Sequence, residues 1–219
     1  MVAKTFGALP KRKTKIPTYD DQRIAPWSDN RGTHDISHKG EPDQLSWQRL
    51  WPTTDDSDYK LEQTMGLLAK IINLQLTEEL REKLGATYGS SVSSSMSNIY
   101  KGRGSFTIST SGDVDKLALI EETIDKVVAN ILAKKPDEDM FERARTPRLE
   151  SYKDWRLRNS TWVSLVDTAQ TEPIWLEKFR INEATYRSIS REDIWAAAKK
   201  YLSNKDYFTF RSLPKETID

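Results

Sequence analysis

Between Asp58 and Leu84 apolar residues recur at three- and four-residue intervals, as Leu61, Met65, Leu68, Ile72, Leu76, Leu80 and Leu84, and the run then stops at Gly85. This spacing places one continuous apolar stripe along a long helix. Glycine is favoured just past a helix end because it adopts the left-handed conformation without a Cβ penalty. Asp55, Asp56, Ser57 and Asp58 precede the helix and suit its N-cap and positive end. Beyond Gly85 the segment Tyr88 to Met96 is serine-rich, with Val92 and Met96 among Ser93, Ser94 and Ser95, which fits a strand with a small-residue face. Arg81 lies in the last turn, beside the stripe, and is expected to be partly buried at the domain edge. Tyr88 opens the strand, so the two side chains can converge on one bound group.

The flanking segments extend this pattern. Thr33 to Lys39 and Gln44 to Trp51 read as strands separated by a turn-rich insertion, Lys39 to Asp43. In the second, Leu45, Trp47, Arg49 and Trp51 share one face, and the tryptophans are expected in the core. Gly104 to Ser111 pairs with the serine-rich strand as a hairpin or meander. A helix with Leu117, Ile120, Ile124, Val127 and Ile131 follows, and another opens at Pro136-Asp137, with Pro147 expected to kink or break it. A last helix starts at Ser190, with Asp193 as a capping-box partner, and Tyr207 to Leu213 closes as a strand. Strands that adjoin without intervening helices imply an α+β fold, a largely antiparallel sheet with helices packed on it. Residues 1–32, with Pro10, Pro17, Pro26 and the basic run Lys11 to Lys13, read as a linker or extended arm from an upstream domain, and residues 33–219 as the domain itself.

The chemistry available is narrow. Cysteine is absent, which removes disulfides, thiol nucleophiles and thiolate metal sites. With 34 Lys+Arg against 33 Asp+Glu there is no global field for nucleic acid or an anionic membrane. The basic and aromatic residues from Arg143 to Trp162 are interleaved with Glu142, Glu150 and Asp154, which favours helix pairs over single-stranded nucleic acid. No stretch is apolar enough to span a bilayer. His34 and His38 are the two histidines. On a strand they stand roughly 13 Å apart, too far to share a metal, and no glutamate lies between them.

Arg81, Gly85 and Tyr88, spaced four and three residues apart, resemble the non-zinc half of insulinase/pitrilysin-family zinc peptidases. The flanks Trp51-Pro52-Thr53-Thr54-Asp55 and Asn159-Ser160 through Asp167 to Pro173 are similar as well. The zinc half of that family carries an inverted H-x-x-E-H motif, which this chain lacks. The resemblance implies a non-catalytic C-terminal half with no cofactor of its own and zinc in a partner half, which lies in the same parent chain or in a separate subunit. Two halves would close around an unfolded peptide. Arg81, always charged and fork-shaped, would hold a substrate carbonyl, and the Tyr88 hydroxyl would donate to the oxygen that gains charge during attack. The sequence does not identify the compartment, and periplasm and cytoplasm both stay open. Two alternatives stand beside this: a structural or assembly subunit of the same fold, and a peptide-binding module that adds a peptide to an exposed strand.

Overall fold

The computed structural model describes residues 2–10, 19–84 and 89–215. A short helix α1 (Val2–Thr5) precedes strands β1 (Gly32–His38) and β2 (Gln44–Thr53), and then the long helix α2 (Tyr59–Leu84). Strands β3 (Ser90–Met96) and β4 (Gly104–Asp113) lead into helices α3 (Leu117–Ala133), α4 (Glu138–Trp155), α5 (Asn159–Thr171), α6 (Ile174–Arg187) and α7 (Arg191–Leu202), before strand β5 (Phe208–Pro214). The five strands form one sheet in the order β1-β5-β2-β4-β3. The sheet is antiparallel except for the β1–β5 pair, so the fold is the expected α+β arrangement.

One side of the sheet carries the core. On β2 the expected face is buried: Leu45, Trp47, Arg49 and Trp51 point into the helical layer. Trp51 meets Phe106 and Tyr207 edge-on, with ring centroids 6.3 and 5.6 Å away. The charge among these rings is compensated, because Arg49 donates to Asp125 at 2.5 Å and to the Thr209 hydroxyl at 3.2 Å. Its guanidinium also lies 4.5 Å from the Tyr207 ring centroid, a contact that favours a cation over an aromatic face. The α2 stripe closes this core from below, with Met65, Leu68, Ile72 and Leu76 fully buried. Gly104 is required where β4 passes between its neighbours, since a Cβ there would sit 2.1 Å from the Thr54 carbonyl oxygen.

Several expectations change in detail. Helices α5 and α6 occupy the stretch between α4 and α7, where the sequence spacing predicts no element. Helix α4 runs uninterrupted through Pro147. Strands β1 and β2 do not adjoin, because β5 lies between them and pairs with both. Of the acidic run before α2, only Asp58 caps the helix, accepting from the Leu61 amide at 2.9 Å. Asp55 accepts from the Ser57 and Gly102 amides and so anchors the β3–β4 connection. Asp56 pairs with Lys178 of α6 at 2.6 Å, and Glu62 with the same ammonium at 3.1 Å. The Ser190–Asp193 capping box is present at the start of α7.

Residues 19–31 lie along the domain. Ile24 bridges Lys101, Arg103 donates to the Ala25 and Pro26 carbonyls, and its guanidinium sits 3.6 Å from the Trp27 ring centroid. Arg31 pairs with Asp206. The basic run Lys11 to Lys13 lies outside the described residues. No helix among the described residues is long and apolar enough to cross a membrane.

Lys178 fastens α6 to the start of α2. Burial opposes its charge, but the hydrogen bonds it donates to Asp56 and Glu62 outweigh that penalty and raise its pKa above the ordinary 10.5. A raised amine pKa means the stabilisation is fully present below the ordinary value and is lost only as pH rises through the folded value. Lys178→Met, which leaves two carboxylates unpaired, should therefore cost about 3 kcal/mol in denaturant unfolding, with the same cost at any pH from about 7 to about 9.

Candidate functional site

The last turns of α2 are held from two sides. Glu78 pairs with Arg143 of α4 at 2.6 Å, and Glu79 with Lys126 of α3 at 3.0 Å. Leu80 is buried beneath them. Past the helix end, the Thr77 hydroxyl lies 3.3 Å from that of Ser90, and Thr110 donates to the Gly89 carbonyl at 3.2 Å. These contacts fold β3 back beside the helix that precedes it.

Arg81 projects from this junction. It is exposed and not partly buried as the sequence suggested, and its side chain has no hydrogen-bond or ion-pair partner among the described residues. The reason is rotational: Leu80 takes the buried position, and one residue further round the helix Arg81 faces out. An unpaired guanidinium on a braced helix end is free to act as a bidentate donor to a carbonyl or carboxylate. Gly85 and Tyr88 lie outside the described residues, so their convergence with Arg81 remains an expectation.

Beside the junction runs a hydroxyl-lined surface that the single strands do not reveal. In the β3–β4 register Ser91 faces Ser109, Ser93 faces Thr107 and Ser95 faces Ser105. The β2–β4 register adds Ser46 opposite Ser111 and Gln48 opposite Ser109. All of these side chains lie on the sheet face away from the core, by the two-residue alternation of strands. At the other end of the same face Phe208 and Phe210 take over, with Trp27 of the arm 5.9 Å from Phe208. The run of serines was visible in the sequence, but which residues of β4, and beyond them of β2, continue the surface was set by register, which one strand cannot disclose.

The residues present do not fit a zinc site. His38 donates from Nε2 to the Gln44 carbonyl at 2.9 Å and accepts at Nδ1 from the Gly40 amide at 3.1 Å, which occupies both ring nitrogens. His34 lies 3.0 Å from the Asn30 carbonyl oxygen and stacks on Phe210 at 5.4 Å. No group of three or more His, Cys, Asp or Glu among the described residues is placed to hold a metal.

Comparison with known proteins is consistent with these features. A family model described as "Peptidase M16 inactive domain" matches residues 1–147. The chain belongs to this family. The match places it with the non-zinc domains of insulinase-type peptidases, in line with the resemblance of the Arg81 segment. Among solved structures, a protease from Helicobacter pylori matches with TM-score 0.75 and 16% identity, over 97% of this chain and 51% of that one. The periplasmic protease PqqL from Escherichia coli matches with TM-score 0.72 and 14% identity, over 86% and 21%. A peptidase M16 inactive domain from Pseudomonas fluorescens matches with TM-score 0.67 and 21% identity, over 84% and 44%. At these identities the structural likeness establishes the fold. The chain spans from about a fifth to about half of the length of these structures. A search of curated proteins finds no match.

Because Arg81 touches no described partner, removing it should leave the fold intact. Arg81→Ala is expected to shift unfolding stability by less than about 0.5 kcal/mol, as for surface residues free of special contacts. A loss of 2 kcal/mol or more on this ~1.4 kcal/mol-per-decade scale would mean that the guanidinium serves the fold and not a ligand.

Proposed function

We propose that this chain is the non-catalytic half of a zinc metalloendopeptidase, completing a substrate chamber with a zinc-bearing half and contacting the scissile peptide through Arg81 and Tyr88. Membership of the inactive-domain family carries this reading. Supporting it, the chain spans about half of two of the matched structures, which leaves room in each for a second domain of similar size. The partner is in the same parent chain or a separate subunit, and residues 1–32 serve as the arm leading from an upstream domain.

In this reading the chain supplies position and charge. Arg81 holds a carbonyl of the bound peptide from a helix end braced by Arg143 and Lys126. The Tyr88 hydroxyl donates to the peptide oxygen as negative charge develops on it, so its interaction is strongest in the transition state. The hydroxyl-lined face of β3, β4 and β2 offers donors and acceptors to the backbone of an extended, unfolded substrate.

Two measurements test this. The isolated chain should neither retain stoichiometric zinc after dialysis nor cleave peptides, and adding it to its zinc-bearing half should restore cleavage in an activity titration. Full activity of that half alone would overturn the completing role. In the assembled enzyme Tyr88→Phe should reduce kcat by on the order of 10²-fold with little change in peptide binding, as for loss of an oxyanion donor. Arg81→Ala should weaken peptide binding as well. Unchanged kinetics in Tyr88→Phe would remove the tyrosine from the mechanism.

A further inference from the structure

Away from Arg81, helices α4, α5 and α6 enclose a half-open cavity of about 400 Å³ against the first turn of α2. Trp155, Phe179, Trp175 and Tyr59 form its aromatic walls, with Leu165 and Thr161 contributed by α5. The walls are mutually braced: Phe179 lies 5.2 Å from Trp155 and 5.3 Å from Trp162 between ring centroids, and the Trp175 indole N–H donates to Glu172 at 2.8 Å. The volume suits one large apolar side chain with space to spare, since a cavity of ~150 Å³ already admits benzene.

Two cations border this space, and they differ. Lys178 lies 5.5 Å from the Trp175 ring centroid and 5.2 Å from that of Tyr59, but its ammonium is already committed to Asp56 and Glu62. Arg158, in the α4–α5 turn, also lines the cavity and is exposed, and its guanidinium has no hydrogen-bond or ion-pair partner among the described residues. The pocket thus offers an aromatic slot with an uncommitted anion acceptor beside it. On the adjoining surface of α5, Ser160, Ser164 and Thr168 supply hydroxyls to the same wall.

We propose that this cavity binds the carboxyl-terminal residue of a peptide, with its apolar side chain between Trp155, Phe179 and Trp175 and its free carboxylate on Arg158. An apolar body joined to one carboxylate is the chemistry that matches the aromatic slot and the unpaired guanidinium together. An internal peptide residue has the body without the charge, and a phosphate has the charge without the body. The site lies at the opposite end of α2 from Arg81, and it does not depend on the role proposed for Arg81 and Tyr88.

Isothermal titration of the full 219-residue chain with short peptides tests this. The probes are a peptide ending in phenylalanine with a free carboxylate, its C-terminal amide, the same peptide ending in glycine, and 3-phenylpropionate. The free acid should bind about tenfold more tightly than the amide, and the glycine peptide should not bind detectably. Arg158→Gln should abolish the preference for acid over amide while leaving weak binding of the phenylalanine side chain. Ser164→Phe, at an exposed position on the pocket wall, should block both. If it fails to fold, the acid, amide and glycine series with Arg158→Gln decides the question. Equal binding of acid and amide by the wild-type chain would overturn the carboxylate assignment. If 3-phenylpropionate binds as tightly as the peptide, the cavity is a site for small aromatic carboxylates and the peptide assignment fails.

Discussion

The burial of helix α2 beneath the sheet is the interaction on which the remaining structure depends. Its 26 residues pack against β3 on one side and touch α3, α4, α6 and α7 along their lengths. A helix of this length gains little from local propensity alone and is held by its apolar face. That face is fully buried from Met65 to Leu76. Each end is then fixed by charge: Asp56 and Glu62 meet Lys178 at the start, and Glu78 and Glu79 meet Arg143 and Lys126 near the end. The apolar stripe sets both the depth and the rotation of the helix, and the ion pairs tie its ends to the neighbouring helices. With both set, Leu80 points in and Arg81 points out.

The second constraint is the charge inside the core. Arg49 occupies the same face of β2 as Trp47 and Trp51 and is itself buried. A lone buried cation would be costly, but here Asp125 on α3, Thr209 on β5 and the Tyr207 ring surround it. These partners come from two regions far apart in the chain, α3 and the start of β5, so the arginine is satisfied only when both have docked on β2. Beside it, Trp47 donates to Glu121 at 3.0 Å, a second polar tie between β2 and α3. The inner face of the sheet thus combines aromatic burial with contacts specific to the correct helix register.

Much of this arrangement was legible where periodicity is strong. The α2 stripe, the buried face of β2 and the Ser190–Asp193 capping box follow from local spacing, and the structure places them close to where the spacing puts them. What was not legible has two physical causes. Helix α5, Asn159–Thr171, is rich in Ser, Thr and Val, residues of modest helix propensity. It leaves Trp162, Val163 and Val166 exposed, so no clean amphipathic stripe announces it. The other cause is distance along the chain. The insertion of β5 between β1 and β2, the pairing of Asp56 with Lys178, and the hydroxyl surface shared by β3, β4 and β2 all depend on partners that only the folded chain brings together. Arg81 illustrates the limit of spacing: its position near the stripe was readable, but one residue of helical rotation decided between burial and exposure.

Division of a peptidase into two halves would change what selection on this chain must preserve. In the proposed reading it holds no metal and no nucleophile, so its chemistry reduces to a guanidinium and a hydroxyl presented at the correct place. Such groups act by being already oriented, and their value falls quickly if the supporting frame yields. The frame at Arg81 is accordingly stiff in construction: a buried leucine beside it, an ion pair to a different helix on each flank, and a strand folded back against the helix end. None of these supports touches the guanidinium. The fold can therefore be stabilised or destabilised through Glu78, Glu79 and their partners independently of the group they position. Such variants would affect substrate binding through displacement of the helix end, whereas Arg81→Ala would affect it through loss of the donor.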